Sequence, residues 1–319
     1  MPVVILGLFP LRVNLTKVLT YFVAWASLTC LVAYFALPPD GFTGVHRLFF
    51  LSHNAAGGFV SIVAALCAGL CIDQRKWYFL ALGLLDLFLL YATGSRGSIL
   101  ALALALGQLL VLRERFTPVV VGGAAAAVLA IVAMTYPLWN SLGRPYDMER
   151  VYDDPRFRDN NTATRVLFLW PRAFDNFLKS PVVGQGFGSF NDTPYRFTDY
   201  RVAVLNTGGA RLNNDASVHN SFLNILADTG LVGLGIVVAF LVYLRRFLSE
   251  AGTPGAAAWG LRIAFWVVIW SSFTENRLTT PAQMLPFTIL VGLALSDYRA
   301  RRLEAADPRP VDAEAAALP

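Results

Sequence analysis

Long apolar stretches constrain this chain more than any other feature of its sequence. A helix of about 20 apolar residues is long enough to cross the hydrocarbon core of a membrane. Inside a membrane the backbone polar groups must pair within the protein, which leaves helices and closed barrels as spanning structures. We identify eight stretches of this kind: 17–37, 54–72, 77–93, 97–112, 117–138, 220–244, 256–274 and 281–297. The sequence therefore predicts an all-α polytopic membrane protein with about eight transmembrane helices.

The composition supports this class. Hydrophobic residues make up 56% of the 319 residues and charged residues only 15%, whereas a soluble domain carries about 25% charged residues. The net charge of +5 does not indicate nucleic acid binding, because much of it lies in short loops that orient the spans. We expect membrane lipids, and no nucleic acid, among the partners of the protein.

Positive charges mark one side of the predicted bundle. The short loops on that side hold Arg12, Lys17, Arg75, Lys76, Arg113, Arg115, Arg245, Arg246, Arg299, Arg301 and Arg302. Loops rich in lysine and arginine stay in the cytoplasm. Both termini are then cytoplasmic, and residues 139–219 form one large external loop.

This topology divides the chain into four regions. We predict an N-terminal bundle of five spans over residues 1–138 and an external loop over 139–219. A C-terminal bundle of three spans follows over 220–298, and residues 299–319 are expected to form a disordered cytoplasmic tail. The external loop is expected to be partly helical, because apolar residues recur at helical spacing over 162–179. Pro171 should either kink that helix or begin a second one.

Three glycines alternate with other residues after this predicted helix, at Gly184, Gly186 and Gly188. Glycine adopts backbone conformations that other residues avoid, and it lets a neighbouring backbone approach closely. The pattern predicts a turn that packs against another part of the protein. It is not a dinucleotide-binding fingerprint, because no strand precedes it and no helix opens from it.

Arginine and histidine stand out on the predicted outer face. Each short outer loop holds an arginine (Arg47, Arg96 or Arg277), although outside positions are normally poor in positive charge. An anionic ligand on that face is the simplest explanation. His219 lies where the polar external loop gives way to an apolar helix, a position suited to proton transfer at the membrane surface.

Four segments together resemble the O-antigen ligase and O-antigen polymerase family of bacterial envelope proteins. They are Ser95-Arg96-Gly97, the helix start from Arg165 to Trp170, the turn from Pro181 to Gly188, and His219-Asn220 followed by Asp228 and Gly230. The resemblance covers roughly residues 45–297. Family members usually have around twelve spans, so the eight found here correspond to the part that carries these motifs.

The resemblance implies a glycosyltransferase of the bacterial inner membrane whose active site faces the periplasm. It implies a glycan donor linked to undecaprenyl diphosphate and transfer, with inversion, to an acceptor hydroxyl. That hydroxyl belongs to lipid A–core in a ligase and to a growing glycan in a polymerase. The sequence does not separate these two activities.

The residue types suit this reaction. Arginine presents a planar fork of donors that matches phosphate oxygens, so we expect Arg96 and Arg165 to hold the diphosphate. His219 is the expected general base on the acceptor hydroxyl. Further substrate-binding residues are predicted at Arg47, Arg172, Asn220 and Arg277. We find no metal signature and expect no cofactor, because arginines can neutralise the leaving diphosphate.

Structural explanations stay open for each of the three catalytic candidates. His219 could cap or pack a helix, Arg96 could extend its side chain to the membrane surface, and Arg165 could be a solvated loop charge. Two other functions also stay open. A transporter for an anionic lipid or sugar should show charged or broken helices near the bilayer midplane, and an assembly scaffold should tolerate replacement of the outer arginines and His219.

The topology leads to the first prediction. Reporters fused after residues 75, 114 and 250 should report a cytoplasmic location, because the positively charged loops remain inside. Reporters fused within residues 145–210 should report a periplasmic location. A cytoplasmic signal from that long loop would place the proposed site on the wrong side of the membrane.

Overall fold

The computed structural model describes residues 6–40, 44–111, 170–192, 218–250 and 256–306. Within these ranges the regular secondary structure is helical. The helices are α1 (Leu15–Ala36), α2 (His53–Gln74), α3 (Trp77–Ala92), α4 (Arg96–Val111), α5 (Trp170–Lys179), α6 (Ser189–Asp192), α7 (Ser221–Glu250), α8 (Ala256–Ser271) and α9 (Pro281–Ala306).

These helices coincide with the predicted spans wherever the structure describes the chain. Seven of the eight apolar stretches are helical, and the fifth, 117–138, lies outside the described residues. Among the described residues, three helices are long and apolar enough to cross a membrane, namely α1, α2 and α7 up to Ser249. Helix α3 and the part of α8 from Ala258 are apolar but shorter. The all-helical membrane fold is confirmed, while the count of eight spans and the external position of residues 139–219 stay predictions.

The last helix differs from the predicted boundary. Helix α9 continues to Ala306, so residues 299–306 are helical where we expected the start of a disordered tail. This segment is rich in alanine and arginine, which favour helices. Two ion pairs also hold it, one between Arg301 and Asp297 at 2.6 Å and one between Glu304 and Arg12. Residues 307–319 lie outside the described ranges.

Helix α2 forms the centre of the bundle. It packs against α1, α3, α4 and α8, and its side chains Leu66 and Leu70 are fully buried. Gly69 of α2 faces the backbone of Gly260 in α8, so the two helices come into direct backbone contact there. Small residues permit this close approach between membrane helices, where van der Waals packing drives association.

One carboxyl group lies inside the bundle. Asp86 of α3 is 1% exposed and accepts hydrogen bonds from the Ser27 hydroxyl at 3.1 Å and the Cys67 thiol at 3.3 Å. These partners join α3 to α1 and α2. The contacts make Asp86 a hydrogen-bonding residue of the bundle interior, where an ionisable group needs partners.

The two ends of the bundle differ in the segments that they bring together. At one end, the start of α2, the α3–α4 turn, the start of α7 and the α8–α9 loop are in mutual contact. At the opposite end, the N-terminal segment 7–13 binds α9, and Arg262 of α8 donates to the carbonyl of Leu248 in α7 at 2.7 Å. The first end carries the predicted outer residues, so the helices alternate in direction as the charge pattern requires.

The contact between α2 and α8 gives a stability prediction. Gly69→Ala should lower the melting temperature of the detergent-purified protein, because the new methyl group meets the Gly260 backbone and the helices must separate. Overpacking of this kind costs about 1–3 kcal/mol. Gly107→Ala in α4 is the matched control, since its methyl group would point into open space. Equal melting temperatures for the two variants would contradict the close contact.

Candidate active site at the outer end of the bundle

The start of α7 is fixed by a side-chain cap. The Asn220 carboxamide oxygen accepts from the backbone amides of Phe222 and Leu223, both at 3.1 Å. These bonds satisfy amides that have no partner within the helix. Asn220, predicted to bind substrate, thus serves as the N-cap of α7, and its role towards a substrate stays a prediction.

His219 precedes this cap in a backbone conformation that few non-glycine residues adopt. Its φ is 52°, in the left-handed region, where a residue with a side chain must be held by its surroundings. Val218 on one side is fully buried and Asn220 on the other is 7% exposed. Their packing fixes the direction in which the imidazole leaves the backbone.

The imidazole is paired with a carboxylate. His219 Nδ1 lies 3.2 Å from Glu275 Oε2, and the two side chains are 31% and 7% exposed. A carboxylate at Nδ1 favours the tautomer with the proton on that nitrogen. The other nitrogen, Nε2, then carries a lone pair on a partly exposed ring. This is the arrangement in which a histidine accepts a proton from a substrate.

The loop that carries Glu275 is bound tightly to the start of α7. The Ser221 hydroxyl donates to the Glu275 carbonyl at 3.0 Å and accepts from the Leu278 amide at 3.1 Å. The backbone amide of Asn220 donates to the Asn276 carboxamide oxygen at 3.0 Å. The position of the histidine–carboxylate pair therefore depends on backbone and side-chain bonds from both segments.

Arg277 joins this loop to two other segments. Its side chain is 2% exposed, and it donates from Nη2 to the Asn54 carbonyl at 2.7 Å and to the Ser98 hydroxyl at 2.9 Å. Burial lowers the pKa of Arg277 to about 10, and the charge of nearby Glu275 opposes that shift. The guanidinium stays charged at neutral pH. The structure thus shows Arg277 as a buried link between α2, α4 and the α8–α9 loop.

Arg96 stands at the start of α4, beside the same loop. The α3–α4 turn is as tight as predicted, since α3 ends at Ala92 and Gly94 has a φ of 63°. Gly97 packs against Thr274, the neighbour of Glu275. The Arg96 side chain is exposed, and among the described residues no ion pair or side-chain hydrogen bond engages it. It is the candidate that is most available to an anionic ligand.

The remaining predicted arginines have different surroundings. Arg47 is exposed and forms an ion pair with Asp40 at 2.5 Å. Arg172 is 5% exposed, donates to the Phe190 carbonyl at 2.7 Å and lies over the Phe190 ring. Arg165 lies outside the described residues. Substrate binding by these three arginines stays a prediction.

A second feature of the outer end is a break in α7. Gly230 has φ 63° and ψ −163°, a conformation essentially restricted to glycine. It interrupts the bonds that an α-helix would form from residues 231 and 232 to 227 and 228. Without other partners, these four backbone groups would be left unpaired inside or beside the membrane.

The glycine-containing turn supplies those partners. The amides of Leu231 and Val232 donate to the carbonyls of Pro181 and Val182 at 2.9 and 3.1 Å. In return, the amides of residues 185 and 186 donate to the carbonyls of Ala227 and Asp228 at 3.2 and 2.8 Å. Gly184, with a φ of 73°, packs directly on the α7 backbone. The prediction of a turn that approaches another backbone closely is confirmed.

Asp228 strengthens this junction with its side chain. It is 4% exposed and accepts from the Ser189 hydroxyl at 3.1 Å and the Gly188 amide at 3.3 Å. Asn224, one helical turn earlier, donates to the same carboxylate at 3.1 Å. Asp228 thus anchors the turn on α7. Glu275 instead pairs with the histidine.

The structure therefore brings together some of the predicted site residues and separates others. His219, Asn220 and Arg277 lie in one hydrogen-bonded region with Glu275, and Arg96 lies in the adjoining turn. Arg172 lies over Phe190 in a second small core, which also contains Ala173, Val218 and Ala227. In the described part of the chain, no group of three or more His, Cys, Asp or Glu side chains is arranged to hold a metal ion.

A comparison with known proteins identifies the family of the chain. A family model described as O-antigen ligase matches residues 79–238, about half of the chain. The chain belongs to the O-antigen ligase family. The matched region contains Arg96, Arg165, Arg172, His219 and Asn220, together with the turn and the break in α7. Membership places the protein among the membrane proteins of O-antigen ligase and polymerase type glycan biosynthesis.

A curated relative comes from exopolysaccharide synthesis. The exopolysaccharide production protein ExoQ of Rhizobium meliloti (strain 1021) is 26% identical over 144 residues. The match covers 42% of this chain and 31% of the relative, so this chain corresponds to less than a third of that protein.

Several polar residues of the site were not identified from the sequence as site residues. Asn276, Ser221, Ser95 and Ser98 supply hydrogen bonds that hold the histidine and Arg277 in place. Serine and asparagine at helix ends are common in any membrane protein, so their types carried little signal. Their position next to the candidate residues in the sequence is the one signal that could have identified them.

The junction at Gly230 gives the next prediction. Gly230→Ala should destabilise the protein by about 1–3 kcal/mol, because the alanine must adopt a strained φ and its methyl group meets the Val182 carbonyl. Gly235→Ala in the same helix is the control, since open space surrounds that position. Thermal unfolding of both variants in detergent measures the difference. A Gly230→Ala protein as stable as the Gly235→Ala protein would contradict the observed break.

Proposed function

We propose that this protein transfers a glycan from undecaprenyl diphosphate to an acceptor hydroxyl on the periplasmic face of the bacterial inner membrane, with inversion at the anomeric carbon. The observation that carries the proposal is the pairing of His219 with the buried carboxylate of Glu275. Membership of the O-antigen ligase family supports the substrate class. We favour a ligase that uses lipid A–core as the acceptor.

His219 acts as the general base in this proposal. Glu275 holds the proton on Nδ1, so Nε2 accepts the proton of the acceptor hydroxyl as that oxygen attacks the anomeric carbon. The bond from this carbon to the diphosphate oxygen breaks, and the lipid diphosphate leaves with the electron pair. Attack opposite the leaving group inverts the configuration. General-base assistance contributes about 10²–10⁴-fold to such a step.

Arginines stabilise the leaving diphosphate. Arg96 is exposed beside the loop that holds Glu275, and its fork of donors matches phosphate oxygens. Negative charge grows on the bridging oxygen as the bond breaks, so a fixed cation favours the transition state over the ground state. We propose that Arg165 shares this role and that Arg47 and Arg172 assist substrate binding. With these cations in place, the reaction proceeds without a metal ion.

Arg277 contributes differently. Its burial and its bonds to Asn54 and Ser98 indicate that it positions the Glu275 loop. Its positive charge also lies close enough to Glu275 to influence it, which helps to keep that carboxylate ionised beside His219. We therefore place Arg277 behind the histidine–carboxylate pair rather than against the substrate.

A repeat-unit polymerase is the second candidate. The match to a protein named for exopolysaccharide production favours a growing glycan as the acceptor. The same base and the same arginines serve both reactions, because the donor chemistry is identical. The glycan profile of a deletion strain separates them: unligated lipid-linked polymer indicates a ligase, and a single-repeat product indicates a polymerase.

A transporter finds support in one observation, the broken helix α7. In transporters, however, breaks of this kind expose backbone groups to a substrate or an ion. Here the interrupted groups are paired with the turn at residues 181–186. The break therefore serves as a docking point within the protein, and we favour the enzyme.

The proposed base leads to a prediction on turnover. His219→Ala should lower the rate of glycan transfer by about 10²–10⁴-fold while binding of the polyprenyl diphosphate donor stays nearly unchanged. The wild-type rate should fall at acidic pH, because a protonated imidazole cannot accept a proton, and this fall should disappear in the variant. Glu275→Gln should also slow transfer. Both the rate of glycan transfer and the binding of the donor are measured on detergent-purified protein with a lipid-linked glycan.

Matched variants separate this role from general damage. His46→Ala removes a histidine that stacks on Tyr34, and Glu304→Gln changes a carboxylate at the opposite end of the bundle; both should retain wild-type rates. Arg96→Ala and Arg96→Lys should instead weaken donor binding. Loss of donor binding in His219→Ala with an unchanged pH profile would make the histidine a phosphate ligand. Activity lost in EDTA and restored by Mg²⁺ would refute the metal-independent mechanism.

A further inference from the structure

The outer end carries an apolar surface that the catalytic proposal does not use. Four side chains on the face of α5 and in the following turn are between 48% and 67% exposed: Phe174, Leu178, Val182 and Val183. We call these four residues the apolar ledge. Phe174 and Leu178 are four residues apart and share one face of α5. The opposite face of this helix, with Ala173, is buried against α7.

The backbone bonds at the break in α7 fix the level of the ledge. The Val182 carbonyl accepts from the Val232 amide at 3.1 Å, so the ledge lies beside residues 231 and 232. The other end of the apolar part of α7 is marked by the exposed Arg245 and Arg246. At 1.5 Å per residue, the level of Leu231 is only about 20 Å from that of Arg245. A bilayer has a hydrocarbon core of about 30 Å, so the ledge lies within membrane depth.

The surface of α7 next to the ledge has the same character. Leu231, Val232 and Ile236 are 57%, 52% and 66% exposed, as expected of side chains that face lipid along a spanning helix. Val182 and Val183 lie beside this surface, because the turn is bonded to residues 231 and 232. The ledge is therefore continuous with the lipid-facing side of α7.

Part of the backbone of the turn is paired within the protein. Non-helical backbone at membrane depth is tolerated only where its polar groups are paired within protein. The turn exchanges four hydrogen bonds with α7 across the break, and the Ser189 hydroxyl and Gly188 amide bind Asp228.

We propose that the apolar ledge is inserted among the acyl chains of the outer leaflet, beside α7. The occupant of this surface is the bilayer itself. Insertion anchors the segment that follows α5 to the membrane, at a fixed height relative to α7 and to the start of that helix. This inference does not depend on the glycosyl-transfer mechanism, because it rests on exposure, helix geometry and backbone pairing.

Environment-sensitive labelling tests the insertion. Val183→Cys and Val182→Cys variants are labelled with NBD, reconstituted into phosphatidylcholine nanodiscs, and titrated with lipids that carry a doxyl quencher on the acyl chain. Lys179→Cys is the matched control, since Lys179 is exposed at the end of the same helix. Wild-type protein labelled in parallel gives the background from Cys30, Cys67 and Cys71, which lie in α1 and α2.

We expect blue-shifted NBD emission and several-fold stronger quenching at positions 182 and 183 than at 179. Emission typical of water at 182 and 183, without quenching, would overturn the proposal. Blue-shifted emission without lipid quenching would also overturn it, because another part of the chain would then cover the ledge. If added undecaprenyl diphosphate relieved the quenching, the ledge would bind the donor lipid rather than the bilayer, and the proposal would be overturned.

Discussion

The buried guanidinium of Arg277 is the interaction on which the outer end of this protein depends. It binds the Asn54 carbonyl and the Ser98 hydroxyl, and so ties the starts of α2 and α4 to the loop between α8 and α9. That loop carries Glu275 and, through it, orients His219. A buried charge without partners would be very costly, so these segments must assemble together. The geometry of the proposed base thus follows from residues that lie far apart in the sequence.

A second constraint comes from the membrane. The break at Gly230 is compatible with a lipid environment only because the turn at residues 181–186 pairs with the interrupted backbone. This junction fixes α5 and the turn to a spanning helix, and Asp228 reinforces it with its carboxylate. Part of the long segment between the spans is thereby held at a defined height beside α7.

Polar groups inside and at the end of the bundle serve distinct purposes. Asp86 is enclosed between α1, α2 and α3 by hydrogen bonds to Ser27 and Cys67, and it contributes to helix association. Arg96 is exposed and His219 is half-buried at the outer end, where a ligand can reach both. The chemistry proposed for the protein therefore uses the groups at the membrane surface, while the interior groups specify packing.

The sequence by itself determined the helical membrane class and seven of the observed helix positions, because long apolar stretches leave a chain few alternatives in lipid. It also predicted the close-packed turn at Gly184, since alternating glycines have a specific backbone use. It placed the end of the last helix too early, because residues such as arginine and alanine occur both in helices and in solvated tails. Only the tertiary structure decided that Arg277 is buried while Arg96 is free, and that Glu275 rather than Asp228 pairs with His219. Those outcomes depend on contacts between segments that are far apart in the sequence, and the pattern of charges along the chain does not show which segments meet in space.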